Sequence, residues 1–95
     1  MLTFNNLTFI KRREKEVQAA LFFDNGYGVS VISGPAGCGL YGNINDNTFE
    51  VAAIKKYDNL KWDVVHPENT SFANDVCGWR TPEEITQLME ELQKL

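Results

Sequence analysis

The sequence holds little of the chemistry from which active sites are usually built. It has one histidine, His66, and two cysteines, Cys38 and Cys77, and no Cys-x-x-Cys spacing. A zinc site needs more ligands than these. Catalysis by either cysteine would require His66 beside it and a third group to orient the imidazole. The sequence therefore predicts a protein that is not an enzyme and that uses no metal and no cofactor.

Long apolar runs are also missing. No run approaches the ~18 residues of a membrane helix, and Met1–Asn5 lacks the basic n-region and apolar core of a signal peptide. Two cysteines that are distant in sequence do not predict a disulfide, so we expect free thiols. At 95 residues the chain has the size of one domain, residues 1–95, and we expect it in the cytoplasm without a membrane partner.

Positive charge is scarce outside two short stretches. No lysine or arginine occurs between Lys15 and Lys55. The net charge of −4 comes entirely from residues 67–95, because acidic and basic residues cancel over residues 1–66. Nucleic-acid binding relies on contacts between cations and phosphates. Direct nucleic-acid binding is therefore not expected.

The stretch Val17–Ser33 predicts a β-hairpin. Two β-prone apolar runs flank Asn25-Gly26, and this pair is the strongest short-range hairpin signal. A type I′ turn needs positive φ at both central residues, which glycine adopts freely and asparagine tolerates. A two-residue loop places Phe23 opposite Gly28. A three-residue loop, which would change the register and the faces, stays open.

The N-terminal residues 1–16 predict a lead-in strand and a charged connection. We expect the strand at Leu7–Ile10, with either a tight turn at Asn5-Asn6 or a frayed start before it. Lys11–Glu16 is then a solvated connection. A helix over Arg12–Phe22 competes with the strand interpretation, because its residues favour helix. The hairpin signal favours the strand.

A second hairpin is predicted from Thr48–Lys56 and Leu60–His66. Alternation of apolar and charged residues indicates strands with one core face, to which Trp62 and Val64 would belong. A turn at residues 58–59 aligns the apolar sets but also sets two lysines opposite each other. A longer connection therefore stays open.

The C-terminal third predicts one helix, residues 82–94. Thr81 is the N-cap, Pro82 takes the first helical position, and Glu84 completes a capping box. Before it, Glu68–Arg80 is expected to be irregular, with three apolar residues tucked beneath the helix: Phe72, Val76 and Trp79. The apolar stripe of the helix contains five residues: Ile85, Leu88, Met89, Leu92 and Leu95. The fold prediction is α+β, a four-stranded, mainly antiparallel sheet of two hairpins packed against one C-terminal helix.

The glycine-rich loop, residues 34–47, is the most unusual stretch. A Walker loop would close with Gly-Lys-Ser/Thr before a helix, and a dinucleotide fingerprint also needs a helix after its glycines. Neither follows here. Two interpretations stay open: a simple link between the hairpins, or a loop that orders against a partner through Leu40, Tyr41 and Ile44.

Recognition of another protein is what the remaining residues can support. Exposed aromatic side chains near loops are plausible anchors. An acidic helix face could complement a basic groove, although an ordinary solvated helix surface has the same composition. The expected partner-binding residues are Tyr27, Leu40, Tyr41, Ile44, Trp79, Glu83, Glu84, Glu90 and Glu91.

Four segments occur in a characteristic order: Phe23–Val31, Phe49–Ile54, Asn74–Trp79 and Thr81–Ile85. The series resembles a recurrent group of small accessory proteins encoded by tailed bacteriophages. That group has an Asn-Gly-Tyr-Gly-x-Ser-Val hairpin, a short Glu-x-Ala strand, and an Asp-Val-x-Gly-aromatic turn into a final Thr-Pro-Glu-Glu helix. The resemblance covers Leu21–Leu95 without the glycine-rich loop.

The resemblance implies a role in the cytoplasm of an infected bacterium, such as the takeover of a host protein or the blocking of a defence protein. The leading hypothesis is therefore a non-enzymatic inhibitor that binds a host or defence protein, an anti-CRISPR protein for example. Two alternatives stay open. One is a protein that sequesters a small ligand or nucleotide with the glycine-rich loop, and the other is a structural or assembly subunit, which could form a homo-oligomer.

Overall fold

An antiparallel sheet with a helix on one face forms the molecule. The structure, a computed structural model, describes residues 1–59 and 61–95. Two short 3₁₀ helices occupy Phe4–Asn6 and Ile44–Asp46. The strands are β1 Ile10–Lys11, β2 Val17–Phe22, β3 Tyr27–Ser33, β4 Phe49–Lys56, β5 Trp62–Val64 and β6 Cys77–Arg80, and the helix is α1 Pro82–Gln93.

The sheet has six strands rather than the predicted four. Its order is β1-β2-β3-β4-β5, and β6 pairs with β4 beside β5. Every pair is antiparallel, so the α+β prediction is confirmed. The two strands outside the predicted hairpins are short: β1 overlaps the expected lead-in strand at Ile10 alone, and β6 lies in the segment that was predicted to be irregular. Strand β6 joins β4 across an irregularity between Phe49 and Val51. A strand of four residues in a segment rich in turn residues is too short to show the alternation of apolar and polar residues that predicts a strand.

The first hairpin has a three-residue loop, so the predicted two-residue register is wrong. Phe22 lies opposite Gly28, and the Phe23 N–H donates to the Tyr27 carbonyl oxygen at 2.7 Å. Gly26 alone in the loop has a positive φ, +87°. In the observed register, Leu21 and Phe23 share the core face with the valines of β3. The two-residue register would place them on the opposite face from those valines.

Asn25 gives a physical reason for the longer loop. Its Nδ2 donates to the Leu92 carbonyl oxygen at 2.8 Å and to that of Leu95 at 3.2 Å. Carbonyl groups in the last turn of a helix lack intrahelical partners. The turn of the first hairpin therefore closes the C-terminal end of α1. A contact between residues this far apart in sequence leaves no local signal.

The loop of the second hairpin is also one residue longer than a two-residue loop. The Tyr57 N–H donates to the Lys61 carbonyl oxygen at 2.9 Å, and Ile54 lies opposite Val64. The open alternative, a longer connection, is therefore confirmed. Trp62 and Val64 consequently lie on the face opposite the core and are exposed, against the prediction. Leu60, the predicted first residue of this strand, lies outside the described residues.

The core lies between α1 and one face of the sheet. Val29, Val31 and Val51 supply the centre of the sheet side, and each is fully buried. Phe72 joins them from the segment before β6, as predicted, but Trp79 is exposed. Four of the five predicted helix residues are buried: Ile85, Leu88, Met89 and Leu92. Leu95 is exposed, because α1 ends at Gln93, one residue before the predicted end.

The N-terminal residues fold back over the helix. The first 3₁₀ helix gives the turn at Asn5-Asn6 that was one of the two alternatives, and β1 begins at Ile10 rather than Leu7. The Leu2 N–H donates to Gln93 Oε1 at 2.9 Å. This segment thereby covers an edge of the core that one helix would leave open.

Candidate functional site

The glycine-rich loop meets strand β6 at an exposed pair of aromatic residues. The Trp79 N–H donates to the Tyr41 carbonyl oxygen at 2.7 Å. The Tyr41 N–H in turn donates to Glu50 Oε1 at 3.0 Å. Tyr41 remains 56% exposed and Trp79 57% exposed. We call these two residues the aromatic corner.

Close packing of the backbone holds the aromatic corner in place. A Cβ on Gly78 would lie 2.7 Å from the Cβ of Tyr41, so only glycine admits the tyrosine there. Further along the loop, a Cβ on Gly42 would lie 2.8 Å from the Cα of Phe49. The Ile44 N–H donates to the Gly34 carbonyl oxygen at 2.9 Å. The loop is therefore packed against the sheet rather than loosely connecting two hairpins.

Trp79 has a strained backbone. Its φ is +56°, in the left-handed region. An L-residue in this conformation costs roughly 1–2 kcal/mol, and bulky residues rarely adopt it. Observed outliers of this kind cluster at functional sites because the surrounding structure must maintain them. Here the strained residue lies at the irregularity in the pairing of β6 with β4, and its large aromatic side chain is exposed.

Three further predicted residues lie near the aromatic corner. Leu40 is half-buried next to Tyr41, and Ile44 is partly exposed where the second 3₁₀ helix begins. Glu83 lines an open cavity of about 420 Å³ between that 3₁₀ helix and the start of α1. The other residues of the cavity wall are Asp46, Asn47, Thr81 and Pro82.

The predicted acidic helix residues have different roles. Glu84 Oε1 accepts the Thr81 N–H at 3.0 Å, which lowers the pKa of the carboxyl group below its usual range. Glu91 Oε1 accepts the Ser71 N–H at 3.3 Å. Glu90 is exposed, and it lies seven residues, roughly 10 Å, along the helix from Glu83. Glu84 and Glu91 therefore also bond to backbone N–H groups, whereas Glu83 and Glu90 lie on the same side of the helix, two turns apart.

Tyr27 lies apart from the aromatic corner. It is half-buried at the start of β3 and packs against the core. The Lys55 ammonium lies 4.6 Å from the centroid of its ring, within the range of a cation–π interaction. A large part of this ring is therefore already in contact with the protein itself.

The sheet face opposite α1, which we call the distal face, escaped the sequence reasoning. Ile10 is 66% exposed, Trp62 42% and Val64 49%, and all three lie on this face by their register. The Trp62 ring contacts Phe22 edge-on, with 6.4 Å between the ring centroids. The correct hairpin register would have predicted that these side chains lie on the face opposite the core.

The side chains of His66 and Cys77 bond to backbone carbonyl groups. His66 Nδ1 lies 3.0 Å from the Phe72 carbonyl oxygen, and Cys77 Sγ donates to that of Ser71 at 3.4 Å. Burial raises the pKa of the Cys77 thiol. Cys38 and Cys77 are both free. Apart from residue 60, no three His, Cys, Asp or Glu side chains group as a metal site would require, and the described helices include none that could cross a membrane.

No protein-family model, curated protein sequence or solved structure matches the chain. The protein is therefore described by the class of its fold and by its surfaces. It is a small α+β domain in which one helix covers one face of a six-stranded antiparallel sheet. It presents an aromatic corner beside the helix N-terminus and an apolar distal face.

Proposed function

We propose that the protein is a non-enzymatic accessory protein of bacteriophage type that binds a protein of the host bacterium and inhibits it. A defence protein, such as a component of a CRISPR–Cas system, is the sharpest form of the proposal. The sequence resemblance supports the phage setting. The aromatic corner supports binding to a protein surface.

The exposed pair Tyr41 and Trp79 carries the proposal. Tyrosine and tryptophan dominate the residues that contribute most to protein–protein affinity, because they bury a large area with little loss of conformational freedom. Both side chains are more than half exposed, and the 2.7 Å hydrogen bond fixes their backbones relative to each other. A rigid pair loses little entropy on binding, which favours affinity.

The ligand-sequestering alternative receives less support. The cavity beside the glycine-rich loop is lined by the carboxylates of Asp46 and Glu83, which repel phosphate groups. The stretch without lysine or arginine includes the whole loop. A saturable rise in melting temperature with an added nucleotide would nevertheless favour this alternative over the protein-binding one.

Affinity capture tests the proposal. The wild-type protein, the Tyr41→Ala variant and the Tyr57→Ala variant are immobilised and exposed to bacterial lysate. Tyr57 is an exposed tyrosine in the turn after β4 and serves as the matched control. We expect one partner at a near-equal molar ratio on the wild type and on the control, and its loss from Tyr41→Ala. Capture of no stoichiometric partner, or equal capture by all three proteins, would contradict the proposal.

A further inference from the structure

We infer that the distal face holds a binding pocket for a small, neutral, planar aromatic compound. The site is an open concavity of about 380 Å³, which we call the distal pocket, and five residues line it: Thr8, Ile10, Gln18, Ala20 and Trp62. Ligand pockets in proteins begin at roughly 300 Å³, so a compound of two fused rings has a suitable size. The inference concerns this site alone and does not depend on the partner proposed for the aromatic corner.

Curvature of the sheet forms the distal pocket. Ile10 belongs to β1 and Trp62 to β5, at opposite ends of the strand order, yet both line the same concavity. The distal face is therefore concave, and the two side chains reach toward each other across the strands between them. Ala20 in β2 contributes only a methyl group, which leaves the space between these two walls open.

Contacts within the protein hold the aromatic wall of the pocket in place. Trp62 packs edge-on against Phe22, and a Cβ on Gly28 would lie 3.0 Å from the Phe22 ring, so the glycine leaves room for that ring. The Lys56 ammonium lies 5.8 Å from the centroid of the same ring. Trp62 is nevertheless 42% exposed. An indole that is already in position can stack with an aromatic ligand at little cost in entropy.

Two polar groups give the pocket a means of orienting a ligand. Gln18 Nε2 donates to Ser30 Oγ at 3.1 Å, and Ser30 is buried, which holds the Gln18 amide. Among residues 1–59 and 61–95, no hydrogen bond reaches Gln18 Oε1 or the Thr8 hydroxyl. Ligand pockets typically combine apolar walls with a few polar groups of this kind.

Charge and shape define the class of ligand. None of the five residues that line the pocket is charged. An ion that left water for this site would lose hydration without gaining a partner among them, which is unfavourable. A saturated compound of equal size would bury a similar area but would lack a ring that stacks on the indole of Trp62. A neutral aromatic compound with a polar edge meets both conditions.

Titration with quinazolin-4-one, a neutral compound of two fused aromatic rings with an N–H and a carbonyl group, tests the inference by NMR of the full chain. The indole N–H signal of Trp62 should shift saturably, with a dissociation constant of about 1 mM, as expected of so small a ligand. In Ala20→Leu, the larger side chain fills the pocket, so binding should weaken at least about 10-fold.

Trp79→Phe is the matched control, because Trp79 lies outside the pocket and is the second of the two tryptophans. Its removal assigns the remaining indole signal to Trp62, and this variant should bind as the wild type does. Backbone amide signals confirm that both variants are folded.

The saturated two-ring ketone 2-decalone tests the class of ligand and should bind about 3- to 10-fold more weakly than quinazolin-4-one. No shift of the Trp62 signal up to about 5 mM quinazolin-4-one, several times the expected dissociation constant, overturns the inference. Equal binding by Ala20→Leu also overturns it, because the ligand then lies elsewhere. Binding of 2-decalone as tight as that of quinazolin-4-one overturns it as well, because the pocket would not select an aromatic ring.

Discussion

Replacing Phe72 with alanine should lower the free energy of unfolding by about 3–5 kcal/mol. Phe72 is fully buried and lies in the long connection between β5 and β6. Its carbonyl oxygen lies 3.0 Å from His66 Nδ1, and its N–H donates to Thr70 Oγ1 at 3.1 Å. The side chain therefore anchors the segment that positions β6 and, through it, Trp79. Urea unfolding followed by circular dichroism measures the loss.

Ser71→Ala is the matched control, because Ser71 is the exposed neighbour of Phe72. Ser71→Ala should lower the free energy of unfolding by less than about 0.5 kcal/mol. A domain of this size has a total stability on the order of 5–15 kcal/mol, so Phe72→Ala should also bring the chain close to unfolding at modest temperature. A loss below about 1 kcal/mol would show that the connection does not contribute to the core as described.

Replacing Trp79 with glycine should weaken binding of the captured partner about 100-fold, the effect of removing a dominant interface residue. The same change should leave the fold intact. The indole is 57% exposed, so its removal costs little burial, and glycine adopts a φ of +56° without strain. Isothermal titration measures the affinity, and thermal unfolding measures the stability.

Trp79→Ala separates strain from side-chain loss. Alanine is normally more stable than glycine within a strand by about 0.5–1 kcal/mol. At this position alanine keeps the left-handed penalty of roughly 1–2 kcal/mol, so the order should reverse. An alanine variant more stable than the glycine variant would show that Trp79 is not strained. Wild-type affinity in both variants would show that Trp79 does not contribute to the interface with the partner.

Local signals were sufficient to predict the helix and the two hairpins. The capping box at Thr81 and Glu84 forms as the sequence predicts, and the apolar stripe of α1 faces the core. Turn chemistry placed a hairpin at Asn25-Gly26. These features depend on residues close together in sequence, and the α+β class follows from them.

The registers of the two hairpins depend on contacts with residues that are distant in sequence. Both hairpins have loops one residue longer than the shortest turn, and one extra residue moves side chains to the other face of a strand. In the first hairpin, the longer loop directs Asn25 to the end of α1, 67 residues further along the chain. Such a contact cannot be read from the turn itself. The distal face escaped prediction for the same reason.

The aromatic corner was predicted in part. Residue type and nearness to loops pointed to four residues that the structure places in the loop or strand that form the corner: Leu40, Tyr41, Ile44 and Trp79. Trp79 had also been expected beneath the helix, where it does not lie. Its left-handed backbone occurs where β6 pairs irregularly with β4 and where the Trp79 N–H donates to the Tyr41 carbonyl oxygen, and both of these partners are distant in sequence.

Photo-crosslinking shows whether the aromatic corner contacts the partner. A photoreactive phenylalanine analogue replaces Tyr41 in one variant and Tyr57 in another, and each is irradiated with the captured partner. We expect a crosslinked product from position 41 and little or none from position 57. Efficient crosslinking from position 57 with none from position 41 would contradict it.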